Sequence, residues 1–420
     1  KRKMDVSMQE KKILKNTSML LIFNIAKMLF PFITLPYLTR VFTTETYGTV
    51  AYVKTVMNYM QIVVDFGFML SATKDIVNAQ NDKEKMERAI GETLTAKILL
   101  WLIALLVLLV LICVLPILRV NVAYTLLSFV VVFESIFLMD FLFRGLEIMH
   151  IITIRFVLMK TISTVLTFVL VKNDGDLLLI PLLDILGSFI AVVLVIYEMR
   201  KMDLKICFTG MKKVVSSIKD SFVYFISNMA SMSFNALGTL IIGIELTGTE
   251  VAYWSVCMQM VNAVQAMYTP ITDGIYPEMI KTRDIGLIKK ILKYMIPTLT
   301  MGCICVYFMA EIILNILGGK EYVNAVPVFR WLIPVLFFGF LAILFGWPTL
   351  GVIGKTKETT ATTVISAIVQ IICLAILIVT NRFTLITVAI VRSVTELVLF
   401  GTRFGCFLKY KNILNDKKKG

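Results

Sequence analysis

Lys54, Asn58, Gln61 and Asp65 interrupt an otherwise apolar run at spacings of 4, 3 and 4. That period puts all four on one face of a helix. A lysine, two amides and a carboxylate on one face can hold an anion, bond hydroxyl groups and exchange a cation. Covalent chemistry would need other groups. No Cys/His cluster has metal-ligand spacing, His150 is the only histidine, and no GxxxxGK[ST] phosphate loop occurs. Gly318-Gly319-Lys320 lacks the rest of that motif. The chemistry indicated is binding and release, with no enzymatic site and no cofactor expected.

Similar stripes recur. Asn24, Lys27, Pro31 and Thr34 share a helical face, as do Thr153, Lys160, Ser163 and Thr167. So do Ser221, Asn228, Ser231 and Asn235, then Ser255, Gln259, Asn262, Thr269 and Asp273, then Thr363, Ser366 and Gln370. The plainer reading of such stripes is hydrogen bonding between helices. Lys27, Lys54 and Lys160 have no opposite charge within four residues, so they are the candidates for an anionic ligand. Asn58, Gln61, Asn228, Gln259 and Asn262 join them as ligand-facing amides. Arg392 and Glu396 stand at i, i+4, where a local ion pair neutralises itself; Arg392 is kept as a further ligand candidate. Asp65, Asp273 and Glu396 are the candidates for coupling to Na+ or H+.

Elements able to position these groups follow from composition. The chain has 420 residues, 58% of them hydrophobic and 17% charged, against about 45–50% and about 25% in soluble domains. Stretches of about 20 apolar residues can each cross roughly 30 Å of hydrocarbon. Continuous rather than alternating runs exclude a β-barrel. Twelve spans are predicted: 17–39, 47–70, 92–115, 122–143, 151–171, 177–198, 221–245, 250–275, 293–316, 326–350, 361–380 and 384–407. No cleavable leader is expected, because the first apolar run continues for a full span.

The net charge of +14 would suggest nucleic acid in a soluble protein. Its distribution points elsewhere. The two tails and the even-to-odd connections take 31 Lys and Arg residues; the odd-to-even connections take 6. That asymmetry predicts both termini in the cytoplasm and accounts for the charge without nucleic acid. Five basic residues are left inside spans: Lys27, Lys54, Lys97, Lys160 and Arg392. Each buried charge costs from about 2.5 kcal/mol upward unless it meets a partner or water. So many of them predict a hydrated cavity.

A repeat is visible. Thr44-Glu45 and Thr249-Glu250 open corresponding spans at an offset of 205 residues, and the same offset pairs Lys54 with Gln259. The expected organisation is an N-terminal tail 1–16, a six-span lobe 17–198, a basic linker 199–220 forming a helix on the inner leaflet, a second six-span lobe 221–407 and a basic tail 408–420.

Several motifs carry a family resemblance over most of the chain. Leu35-Pro36-Tyr37-Leu38-Thr39-Arg40-Val41, with Glu45 and Tyr47-Gly48, resembles the opening of polysaccharide flippases of the Wzx type. Asp65-Phe66-Gly67-Phe68, Phe143-Arg144-Gly145-Leu146-Glu147, Ile275-Tyr276-Pro277 and Leu317-Gly318-Gly319-Lys320-Glu321-Tyr322 are similar to segments of the same family. That family lies within the multidrug/oligosaccharidyl-lipid/polysaccharide (MOP) exporter superfamily. The resemblance implies an all-α membrane protein of twelve helices in two six-helix lobes around a central cavity. It also implies a substrate: undecaprenyl-pyrophosphate-linked oligosaccharide, moved to the outer face of the bacterial plasma membrane. Membrane lipids, and the glycan polymerase and ligase machinery, are the implied partners. Related lipid II flippases keep cations on helices 1, 2 and 8; here Lys27 and Lys54 match the first two, but Gln259 is neutral.

Three other readings compete. A cation-coupled multidrug exporter of the same superfamily takes mainly cationic ligands, which suits three unpaired lysines poorly. A membrane-embedded transferase needs a reactive constellation that is absent. A structural partner in a glycan-synthesis complex would not need buried lysines.

Overall fold

With no water in hydrocarbon to satisfy backbone amides, an apolar spanning chain must close its hydrogen bonds internally, and the helix does so. The computed structural model describes the backbone of residues 2–415 and the side chains of 15–411, Asp273 and Pro277 excepted. Its regular elements are all helices among the described residues. The order is α1 (Arg2–Val41), α2 (Thr44–Asp65), α3 (Phe68–Asn78), α4 (Lys83–Val114), α5 (Pro116–Val120), α6 (Val122–Glu134), α7 (Asp140–Gly145), α8 (Met149–Leu170) and α9 (Leu179–Lys201). There follow α10 (Met211–Glu245), α11 (Gly248–Ala266), α12 (Tyr268–Thr282), α13 (Ile285–Leu317), α14 (Val326–Leu344), α15 (Thr356–Val379) and α16 (Leu385–Asn415).

Among the described residues, ten helical segments are long and apolar enough to cross a membrane. The other two predicted spans correspond to α2 and α11. Their 22 and 19 residues still reach about 30 Å at 1.5 Å per residue. They fall short in hydropathy because they carry the polar stripes. The two are also the counterparts in the repeat. Each follows a two-residue connector and opens on a threonine cap: Thr43 accepts from the Thr46 amide, and Thr247 forms a capping box with Glu250.

The Asp65-Phe66-Gly67 segment ends α2 sharply. Phe66 and Gly67 both adopt positive φ (41° and 84°), and α3 starts at Phe68. Glycine is required there: a Cβ on Gly67 would lie 2.5 Å from the Tyr224 Cβ.

The chain forms two compact units, 1–229 and 230–420, divided within α10. In the first, α1 and α9 pack on α8, α6 packs on α9, and α2 packs on α4 and α6. In the second, α14 is the hub: it packs against α16, α13 and α11. Most of one face of α14 is buried, including Leu332, Val335 and Phe340. Large apolar side chains such as Leu21, Ile25, Leu106 and Val110 remain exposed, as lipid-facing residues must.

Two expected elements differ. The basic 199–220 stretch is not a separate surface helix. Residues 204–210 are non-helical, and 211–220 are the first turns of α10. The non-helical piece is tied down instead: the Glu87 carboxylate accepts from the Lys205 amide at 2.9 Å, and the Glu87 carbonyl from the Cys207 amide. The fourth span breaks after Glu134 into a 3-10 turn (135–138) and α7. There Met139 takes positive φ, and the Arg155 guanidinium holds both Asp140 and the Leu138 carbonyl.

Candidate functional site

Four side chains of the first unit gather in mid-span. Asp184 on α9 receives the Lys160 ammonium at 3.0 Å and the Ser163 hydroxyl at 2.7 Å. Both donors come from one face of α8, three residues apart. Lys54 on α2 lies within electrostatic reach of both Lys160 and Asp184. The expectation that Lys160 stands without an opposite charge is therefore corrected. Its partner is 24 residues away in sequence, on the neighbouring helix. Even so, two cations share one carboxylate, and the cluster is net positive.

Lys27 joins the same level by register. Helices α1 and α8 run parallel. Thr153 bonds the Met19 carbonyl, Phe23 meets Phe156, and Tyr37 bonds Phe168, at sequence offsets of 131–134. Lys27 and Lys160 are 133 residues apart, so the two lysines stand at one height. Lys27, Lys54 and Asn58 keep exposed side chains, while Tyr52, Val53, Val56 and Met57 of α2 are packed. An ammonium facing hydrocarbon costs from about 2.5 kcal/mol, which assigns these faces to water or to a ligand.

Lower on the α2 stripe the polar groups are already satisfied. Gln61 donates to Asp65 and to Ser135, each at 2.9 Å. Asp65 also receives Lys97 from α4 at 2.8 Å. Lys97 is therefore a buried partner of Asp65.

The stripes of α10 and α11 are open in part. Asn228 and Asn262 are exposed, and Gln259 is half-buried. Ser221 is buried and shares a 2.6 Å hydrogen bond with Ser71. The Asp273 side chain lies outside the described residues. On α15, Ser366 and Gln370 are buried and Thr363 receives Arg403, so that stripe faces its neighbours and not a cavity.

In the second unit, Arg392 and Glu396 form the expected ion pair at 2.7 Å, both almost wholly buried. The Arg392 guanidinium also lies over the Phe234 ring at 4.4 Å. Its Nε and Nη1 have no hydrogen-bond partner of adequate geometry. The pair is bonded mainly by charge.

Charge counting along the sequence missed two residues. Arg155 and Arg403, not among the five basic residues counted inside spans, are both buried inside helices. Their positions within spans 151–171 and 384–407 were the available signal. Arg155 answers Asp140, whereas among the described residues Arg403 bonds neutral groups: the Ala342 carbonyl and the hydroxyls of Thr362 and Thr363.

Ten helical segments long and apolar enough to cross a membrane, with α2 and α11 between them, define a polytopic helical membrane protein. Solved structures share this fold. The lipid II flippase MurJ, in an inward closed conformation, is similar with a TM-score of 0.71, covering 94% of this chain and 87% of that one at 12% identity. An inward-facing MATE-family multidrug resistance transporter gives 0.68 over 93% and 99%, at 14% identity. Residues 13–283 match the polysaccharide biosynthesis protein family, and the chain belongs to that family. A Shigella dysenteriae protein described as a "Putative O-antigen transporter" is 28% identical over 317 residues, 73% of this chain and 78% of that protein. The resemblance read from the motifs is borne out.

Proposed function

We propose that this protein is a flippase for undecaprenyl-pyrophosphate-linked oligosaccharide repeat units in the bacterial plasma membrane. The observation that carries the reading is the level shared by Lys27, Lys160 and Lys54, with Asp184 offsetting only one of their charges. Those ammonium groups would replace water around the pyrophosphate. Asn58 and Asn228, exposed in the same unit, would bond sugar hydroxyls, while the lipid tail stays in the bilayer. Alternating access then exposes the site first to the cytoplasm, where both termini lie, and next to the outer face. Released glycan passes to polymerase and ligase machinery.

An ion gradient supplies the drive. Protonation of Asp65 would release Lys97 and change the charge of the α2 face, which makes Asp65 the first coupling candidate. Glu396 and Asp273 come after it.

The test is restoration of surface polysaccharide in a flippase-deleted strain at matched membrane expression. Wild type restores it, and Lys54→Ala does not. Equal restoration by both removes the lysine site but leaves the flippase. Failure of the wild type, together with efflux of cationic drugs, replaces the flippase with an exporter.

A further inference from the structure

Arg403 has no part in the reading above. Its guanidinium is about nine-tenths buried in α16. Nη1 donates to the Ala342 carbonyl at 2.6 Å, Nη2 to Thr363 at 3.0 Å and Nε to Thr362 at 3.4 Å. Five N–H groups are available, so two remain unspent. Among the described residues no carboxylate stands within ion-pair distance. Glu396, the acid whose charge it feels, already holds Arg392. A buried cation with only neutral partners keeps a large unmet electrostatic demand. The local backbone is shaped to this side chain: a Cβ on Gly346 would come within 2.9 Å of Nη1.

The guanidinium lines a cavity of about 600 Å³, with Thr269, Thr272, Tyr276 and Trp347. One wall is the π-helical turn Gly346–Gly351, an uncommon element that recurs at functional sites. Trp347 also borders a second hollow of about 670 Å³, floored by Ala361, Val364 and Ile365 with Lys357 beside it. One space thus offers a cation and hydroxyls. The other offers hydrocarbon and a second cation. A half-exposed tryptophan stands between them, as at a membrane interface.

We propose that the Arg403 cavity holds the phosphate of an anionic phospholipid, with one acyl chain in the adjoining hollow. Two free N–H groups in the fixed guanidinium fork match two phosphate oxygens. Basic pockets between helices on the cytoplasmic side select anionic headgroups, and Lys355 and Lys357 stand at this end of the unit.

The full chain is placed in phosphatidylcholine nanodiscs with graded brominated phosphatidylglycerol. Trp347 emission is isolated by subtracting the Trp347→Phe variant. Quenching is expected at lipid fractions about tenfold lower than for brominated phosphatidylcholine, the size of a charge-assisted contact. Arg403→Gln should remove that preference. Val364→Phe with Ile365→Phe should also remove it by filling the hollow, without touching the guanidinium. Both positions are exposed, so this variant decides the matter if Arg403→Gln does not fold. Equal quenching by both lipids in the wild type overturns the proposal. So does a preference that survives the hollow-filling variant but is abolished by millimolar inorganic phosphate, which would mark a free-anion site.

Discussion

The Lys160 ammonium lies 3.0 Å from the Asp184 carboxylate, on adjacent helices, with each side chain about one-third exposed. The pair leaves Lys54 as the uncompensated charge of the cluster. An ion pair that is partly wetted can open for a ligand at modest cost, whereas a sealed one cannot.

Lys160→Met should therefore lower stability by about 1 kcal/mol, discounted for that exposure. Adding Asp184→Asn should recover the stability without recovering glycan export, because a cation is still missing. Melting temperature and surface polysaccharide are read in parallel. Recovery of export in the double variant would reduce Lys160 to a structural role.

The Arg392–Glu396 pair is sealed, so the expectation differs. Arg392→Ala strands a buried carboxylate and should cost about 3–5 kcal/mol, with Arg392→Ala/Glu396→Ala losing less. Thermal denaturation in detergent checks this. A large loss of export at an unchanged melting temperature would instead put Arg392 in the ligand path.

Asp75, on α3 outside the spans, is held above the usual carboxylate range by burial first, then by the nearby charge of Glu92, against the opposing pull of Lys74. The folded state then keeps a proton that the unfolded state has released. That contribution is present at acid pH and is lost as pH rises through the folded value. Asp75→Asn should thus gain stability relative to wild type as pH rises from about 4 to about 8. Parallel melting curves for the two proteins across that range would refute it.

Two glycines give opposite expectations. Gly67→Ala meets both a φ of +84° and the Tyr224 Cβ, and should cost about 1–3 kcal/mol. Gly401→Ala lies in a helix with open space around it and should gain about 0.5–1 kcal/mol. Melting temperatures of the pair test whether the α2–α3 break is structurally required.

Much of the fold was legible because spanning helices are dictated by length and hydropathy, which are local properties. The twelve spans and the polar faces of α2 and α11 could be read from periodicity. The motif Asp65-Phe66-Gly67 was visible, but its role as a helix break needed the backbone angles. The break after Glu134 was not legible, since the apolar run continues through Ile136, Phe137 and Leu138.

The sequence by itself determined the class of molecule, the candidate cations and their helical faces. Hydrocarbon imposes helix, and helix imposes which residues share a face. Only the tertiary structure decided which charges are spent. Lys160 meets Asp184, Lys97 meets Asp65 and Arg155 meets Asp140 across different helices, whereas Arg403 forms no ion pair among the described residues. A three-residue or four-residue spacing reports neighbours within one helix. Pairing between helices depends on register and packing, which sequence distance does not encode.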